Sequence, residues 1–396
     1  MRITQAVAAT HPGRQREHNE DAVLRLVKVP VFVVADGMGG PGGGDVAAAI
    51  ALKTVRRYVD AMIARNEAVA SDRATPNRLA LGNLLDELFN AASHEIFAEA
   101  QKLKRPGIGA TMVLATVVRN YAYIAHIGDT RAYLYRQGRV VRLTEDHSLA
   151  EFKLRRGRIT REEYETSADR QILYQALGAG VEVDVDLAQV RLAGGDGLLL
   201  CSDGLVRAVD EASMAANIDL ADIPRSMRRL VALANQNGAP DNVSAILIGF
   251  DAEQSDEPIE AITSVMRQVF LFSELSEQER LIIAPYLEEV VFAKGATVTS
   301  EGDPADTFYV VVSGRLRVTS QGTHLTDVKE GGHFGELALA RPSHRSATVR
   351  ALTDARLLGL SRAHFHELLR HKPELGARLA VSLLDAVGER LRDLSD

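Results

Sequence analysis

Carboxylates recur in this sequence where strands begin or stop. Asp36 follows the apolar run "VFVVA" and precedes Gly37; Asp203 follows "GLLLCS" and precedes Gly204; Asp129 follows "YIAHIG". Asp241 lies in "GAPDNVSA" just ahead of a strand, and Glu20 and Asp21 lie just ahead of "AVLRLV". Any one of these alone is ordinary turn chemistry, because Asp and Gly are default turn residues. Five such sites together point to a ligand set, and oxygen donors without His or Cys select hard cations, Mg²⁺ or Mn²⁺ rather than zinc. The loop "ADGMGGPGGG" also satisfies GxGxxG at Gly37, Gly39 and Gly42, with Asp60 downstream, which would suit a dinucleotide. A bare carboxylate at the strand end would repel the pyrophosphate that such a turn attracts, so the two readings exclude each other.

The elements that must position these acids are legible as periodicities. Before residue 251, "GDVAAAIALKTVRRYVDAMI" and "NRLALGNLLDELFNAASHEIFAEAQKL" repeat apolar residues at helical spacing, and "ATMVLATVV", "YAYIAHIG", "RAYLYRQ" and "RVVRL" read as closely spaced strands joined by turns. Hairpin-joined strands with helices entering separately give antiparallel sheets layered with helices, an α+β arrangement, and count against a Rossmann unit and a dehydrogenase. The acidic stretch "DAEQSDEPIE" at 251–260 reads as a linker. Beyond it, residues 290–360 are short strands punctuated by Gly295, Gly302, Gly314, Gly322, Gly331 and Gly332, the pattern of a small antiparallel roll, framed by helices on both sides.

Totals bound the rest. A length of 396 residues implies two or three domains, and 46% hydrophobic with 25% charged residues is globular composition. A net charge of -7 gives no reason to expect nucleic acid as a partner, and the single cysteine, Cys201, fits a reducing compartment. No signal-peptide pattern and no bilayer-spanning apolar run occurs, so the expected location is cytoplasmic with no membrane partner. Oligomeric state is not legible.

"REHNEDA", "VVADGMGG", "GIGATMV", "HIGDTRAYL", "LTEDHSL", "LLLCSDGL" and "GAPDNVSAI" resemble, in order and spacing, the motifs of the metal-dependent type 2C (PPM) serine/threonine phosphatases, bacterial branch, over residues 1–250. The resemblance implies a four-layer α-β-β-α sandwich with metals at one end. Asp36 would bridge two Mn²⁺ or Mg²⁺ ions about 3.5–4 Å apart, and Gly37 would lend its carbonyl. Asp203 and Asp241 would complete the first site, Glu20 and Asp21 would act at the second through water, and Asp129 with Asp203 would hold a third, weaker ion. Arg16 would grip the substrate phosphate. The expected reaction is attack of a metal-activated water on phosphoserine or phosphothreonine in proteins, targets of serine/threonine kinases. Met38 stands where several relatives carry a His proposed as leaving-group acid, so that proton must come from elsewhere. Residues 145–184 resemble the family's flap segment; His147 and Cys201 read as structural.

Residues 268–396, with 251–267 as linker and connecting helix, resemble the cyclic-nucleotide-binding domain family through "LFSELSEQE", "EGDPADTFYVVVSGRLRV" and "GGHFGELALARPSHRSATV". The resemblance implies a β-roll with flanking helices. Gly335, Glu336, Leu337 and Ala338 would start the ligand cassette, Arg345 would neutralise the cyclic phosphate, and Ser346 and Ala347 would follow it. Cyclic AMP or cyclic GMP would be a regulatory ligand. The competing readings are a non-catalytic nucleotide sensor with a phosphatase-like docking domain, and an active phosphatase whose second domain has lost its ligand.

Overall fold

The apolar runs at 31–35, 109–118 and 243–250 are buried on both faces. Strands of that kind need a layer on each side, and the fold supplies a helix layer and a second sheet. The computed structural model describes residues 1–40, 42–71, 78–251 and 259–393; Pro41 and most of the acidic 251–260 stretch lie outside them. The chain divides into two units, Met1–Asp256 and Glu257–Asp396.

The first unit runs β1 (Arg2–His11), β2 (Asp21–Leu26), β3 (Val31–Met38), α1 (Gly44–Ser71), α2 (Arg78–Leu103), β4 (Gly109–Val118), β5 (Tyr121–Ile127), β6 (Arg131–Arg136), β7 (Arg139–Arg142), α3 (Leu149–Arg155), α4 (Arg161–Thr166), β8 (Asp186–Arg191), β9 (Gly197–Cys201), α5 (Asp203–Ala208), α6 (Glu211–Asn217), α7 (Ile223–Gln236) and β10 (Val243–Asp251). Its strands form two antiparallel five-stranded sheets, ordered β1-β10-β9-β6-β7 and β2-β3-β4-β5-β8. Alternation decides what each face meets. Val31, Val33 and Ala35 of β3, with Met112 and Leu114 of β4, pack on Ala48, Val55, Leu85 and Phe89 of α1 and α2. Leu199 and Cys201 of β9 and Ala245 and Leu247 of β10 pack on Leu205, Met227 and Leu230 of α5 and α7. The remaining faces turn toward each other, which makes the order of layers α-β-β-α, as the motifs implied.

The second unit runs α8 (Ile259–Gln268), α9 (Phe270–Ser273), α10 (Glu277–Ile283), β11 (Leu287–Phe292), β12 (Thr297–Thr299), β13 (Pro304–Ala305), β14 (Thr307–Ser313), β15 (Arg315–Ser320), β16 (Thr323–Lys329), β17 (His333–Phe334), α11 (Leu337–Ala340), β18 (Ser343–His344), β19 (Thr348–Ala351), β20 (Ala355–Ser361), α12 (Arg362–His371) and α13 (Pro373–Asp393). Sheets β11-β20-β14-β17 and β12-β19-β15-β16 close over Val311, Leu316, Val349 and Leu357. The alternate residues Phe308, Val310, Leu358 and Leu360 pack outward on Val265, Phe272, Phe365 and Leu379 of the flanking helices. Among the described residues no helix is long and apolar enough to cross a membrane.

Phe32 is fully buried on the face of β3 that looks toward the other sheet. Truncation to alanine is expected to cost about 3–5 kcal/mol and lower the unfolding temperature of this unit by roughly 10 °C. A drop under about 2 °C in a calorimetric scan would contradict the layer assignment.

Candidate metal centre

Because Val31, Val33 and Ala35 face the helices, the period of two turns Phe32, Val34 and Asp36 toward the second sheet. Asp21 is paired directly across from Asp36 in the β2–β3 ladder, so both carboxylates leave the same face. On the other sheet Leu199 and Cys201 face α5 and α7, which turns Ser202 inward, and its hydroxyl donates to Asp21 Oδ2 at 2.8 Å. Asp203 opens α5 one residue later, and Asp241 precedes β10, which pairs with β9. Strand ends from both sheets thus meet at one rim of the sandwich.

Close backbone approach holds the rim together. A Cβ at position 37 would lie 1.9 Å from the Gly44 carbonyl oxygen, and one at position 204 would lie 2.0 Å from the carbonyl oxygen of Asn242. Only glycine fits either place. The Gly37 amide donates to the Glu20 carbonyl at 3.2 Å. Asn242 accepts from the Glu20 amide at 2.8 Å and donates to the carbonyls of Pro12 and His18, each at 2.9 Å. That one side chain fastens the loop carrying Arg16, Glu20 and Asp21 to the rim. Arg16 is half exposed, and its Nη2 lies 2.8 Å from Asp241 Oδ2.

Crowding of like charges sets the electrostatics. Withdrawal from water and then the neighbouring acids raise Asp36, Asp129 and Asp203 above their ordinary values. Burial, opposed by Ser244 and Ser202 and reinforced by Asp203 and Asp241, pushes Asp21 up to about 7. Glu20 is raised by burial and by Asp45. Asp21 Oδ1 and Asp203 Oδ1 are buried without a hydrogen-bond partner. Uncommitted carboxylate oxygens in a water-poor cluster rich in acids fit divalent cations, which would relieve the repulsion and supply those oxygens with partners.

Asp129 reaches this centre from the turn after β5. Arg131 grips Asp146 with Nε at 2.9 Å and Nη2 at 2.6 Å, and Arg142 adds Nη2 on the same carboxylate at 2.7 Å. These arginines outweigh burial and hold Asp146 well below the usual carboxylate range. The His147 amide donates to the Gly128 carbonyl at 2.7 Å. The "GDTR" and "EDHS" motifs therefore lock one another, fixing the turn that bears Asp129. His126, His147 and Asp186 also gather with ligand atoms within 4.8 Å. The Gly128 amide donates to His147 Nδ1 at 3.3 Å, which leaves the proton on Nε2, 3.5 Å from Asp186 Oδ2. That nitrogen, carrying its proton, has no lone pair for a cation. Burial pushes the Cys201 thiol up to about 12, consistent with an inert core residue.

In the second unit Arg345 and Glu336 are both buried. Arg345 Nη1 lies against Gly335, where a Cβ would come within 2.5 Å of it, and the guanidinium stands over the Tyr309 ring. Nη1 has no hydrogen-bond partner, and burial lowers the guanidinium below its ordinary value. A buried cation with an unused donor fits an anion. Gly335 has a positive φ, Glu336 immediately precedes the four-residue α11, Ala338 is buried, and Leu337 and Ser346 are exposed. Sequence reading missed Arg207, Ser202 and Asn242. Nothing but their nearness to Asp203 and Asp241 in the chain marked them.

A rim of acids on a four-layer antiparallel sandwich is a centre suited to divalent cations. Residues 10–247 match the Protein phosphatase 2C family model, and residues 289–372 match that of the Cyclic nucleotide-binding domain. The chain belongs to the protein phosphatase 2C family, as a metal-dependent phosphatase with a C-terminal cyclic nucleotide-binding domain. It is 34% identical over 250 residues to the serine/threonine phosphatase stp of Listeria innocua, covering 60% of this chain and 93% of that protein. The catalytic domain of the phosphatase PstP, solved with two manganese ions, is 28% identical with a TM-score of 0.53 over 63% of this chain and 99% of that one. The PPM phosphatase MsPP of Mycobacterium smegmatis, solved with cacodylate, is 31% identical with a TM-score of 0.53 over 63% of this chain and 100% of that one.

With Asp21 titrating at about 7 in the fold against an ordinary 3.8, the folded chain holds a proton that the unfolded chain has released. In chelator, this group's contribution to stability therefore falls as pH rises through that window. Asp21→Asn is expected to unfold at a higher temperature than the unsubstituted protein, by an amount that grows from about pH 5 to pH 7.5. The comparison between the two proteins cancels the opposing effect of His126, which burial holds down to about 3. A constant difference across the window would contradict the assignment.

Proposed function

We propose that the chain hydrolyses phosphoserine and phosphothreonine in proteins at the acidic rim of its first unit, and that a cyclic nucleotide bound in its second unit regulates the rate. The observation that carries the first half is the convergence of Asp21, Asp36, Asp203 and Asp241 with buried, uncommitted oxygens on Asp21 and Asp203. Asp36, the Gly37 carbonyl, Asp203 and Asp241 would hold two Mn²⁺ or Mg²⁺ ions, with Glu20 and Asp21 acting through water and Asp129 serving a third. When bound, these ions supply the charge that neutralises a phosphomonoester and activates water toward it.

Arg16 orients the substrate. Its half-exposed guanidinium is held at the rim by Asp241 and has donors left for phosphate oxygens, in the fork geometry that suits them. Met38 offers no proton, and its side chain packs instead against Gly109, whose Cβ would meet Met38 Cε at 2.8 Å.

The second half rests on Arg345, whose buried Nη1 lacks a partner beside Gly335. The cyclic phosphate would take that donor, Gly335 to Ala338 would line its approach, Glu336 would take the ribose hydroxyl, and Ser346 and Ala347 would flank the base. The functional division is a phosphatase unit to about residue 250, a linker and connecting helix at 251–267, and a nucleotide unit from 268. Regulation requires that the nucleotide favour one state of the enzyme over another.

Phosphate release from a phosphothreonine peptide with Mn²⁺ is expected to vanish in Asp36→Ala. In Arg16→Ala, kcat/KM should fall roughly 10–100-fold, the worth of a charge-assisted hydrogen bond of about 1.5–3 kcal/mol. Calorimetric titration with cyclic AMP and cyclic GMP should show binding that Arg345→Ala removes, and the bound nucleotide should change the rate. Full activity in Asp36→Ala would refute the catalytic assignment. Nucleotide binding without phosphate release would mean a sensor, and activity indifferent to either nucleotide would remove the regulatory half.

A further inference from the structure

Arg207 has no part in the roles described so far, yet it touches the centre of the site. It lies one helical turn after Asp203 on α5, with Nη2 2.5 Å from Asp203 Oδ2 and Nη1 3.9 Å from Asp241 Oδ2. The other oxygen of Asp203, Oδ1, is buried and without a partner. Asp21 is held in the same manner, Oδ2 by the Ser202 hydroxyl and Oδ1 uncommitted. Asp241 receives the Asn242 amide on Oδ1 at 2.9 Å and Arg16 on Oδ2 at 2.8 Å. Asp203, Asp21 and Asp241 are thus each clamped by a donor of the chain itself.

From this arrangement we infer that Arg207 is a positioning residue that fixes Asp203 by Oδ2 and thereby reserves Oδ1 for a divalent cation. The inference rests on the metal-centre reading proposed above. A carboxylate that must choose between two rotations loses that freedom when it binds a cation, and a partner that has already fixed it removes the cost. A guanidinium also repels a cation. Here its charge is largely offset by Asp203 at contact distance. Orientation therefore outweighs repulsion.

The test is calorimetric titration of the full chain with Mn²⁺ alone, with circular dichroism in chelator to check folding. Asp36→Ala serves as the control for the site itself: if it binds Mn²⁺ as tightly as the unsubstituted protein, the metal-centre reading fails. Given the loss expected there, Arg207→Ala should weaken Mn²⁺ binding about 10–100-fold, the usual cost of removing a ligand's hydrogen-bond partner. Arg207→Lys, which keeps the charge and a donor, should recover part of the loss. Binding by Arg207→Ala that is unchanged or tighter, or Lys weaker than Ala, would overturn the positioning role.

Discussion

Mutual repulsion among Asp21, Asp36, Asp129, Asp203 and Asp241 is the constraint that the first unit is built around. Withdrawal from water and neighbouring charge raise four of these acids above their ordinary values. Such a cluster costs stability, and folds retain it where function requires it. Strand ends from two separate sheets are needed to bring the acids together, because no single element spaces them within reach. The four-layer sandwich is what brings those ends to one rim.

Containment of that repulsion explains the smaller features. Ser202, Asn242, Arg16 and Arg207 each hold a carboxylate or its backbone, and Gly37 and Gly204 let the main chains approach closely enough for this to work. The second unit shows the opposite imbalance. Arg345 is a buried cation with an unused donor, where the first unit has buried anions with unused acceptors. Each unit thus carries an uncompensated charge of the sign its expected ligand would neutralise.

Much of this was legible in the sequence. Strand periodicity located Asp36, Asp129, Asp203 and Asp241 at element ends, and the absence of His and Cys beside them restricted the choice of cation. The layer order was legible only through family resemblance, because the unbroken apolar run of β4 shows burial on both faces without showing what covers them. Arg207 was invisible for a different reason. An Arg four residues after an Asp on a helix is ordinary surface pairing, and only the placement of Asp203 in the rim turns that pair into part of a site. His147 read as structural, and the Gly128 amide on its Nδ1 gives that reading a cause.

The central claim is that the acid rim holds divalent cations through Asp36, Asp203 and Asp241. Anomalous diffraction at the manganese edge, from crystals of the full chain grown with Mn²⁺, tests it most directly. The account predicts two strong peaks flanking the Asp36 carboxylate, with Asp203 Oδ1 directed at one of them. Strong peaks elsewhere with none at this rim would contradict it.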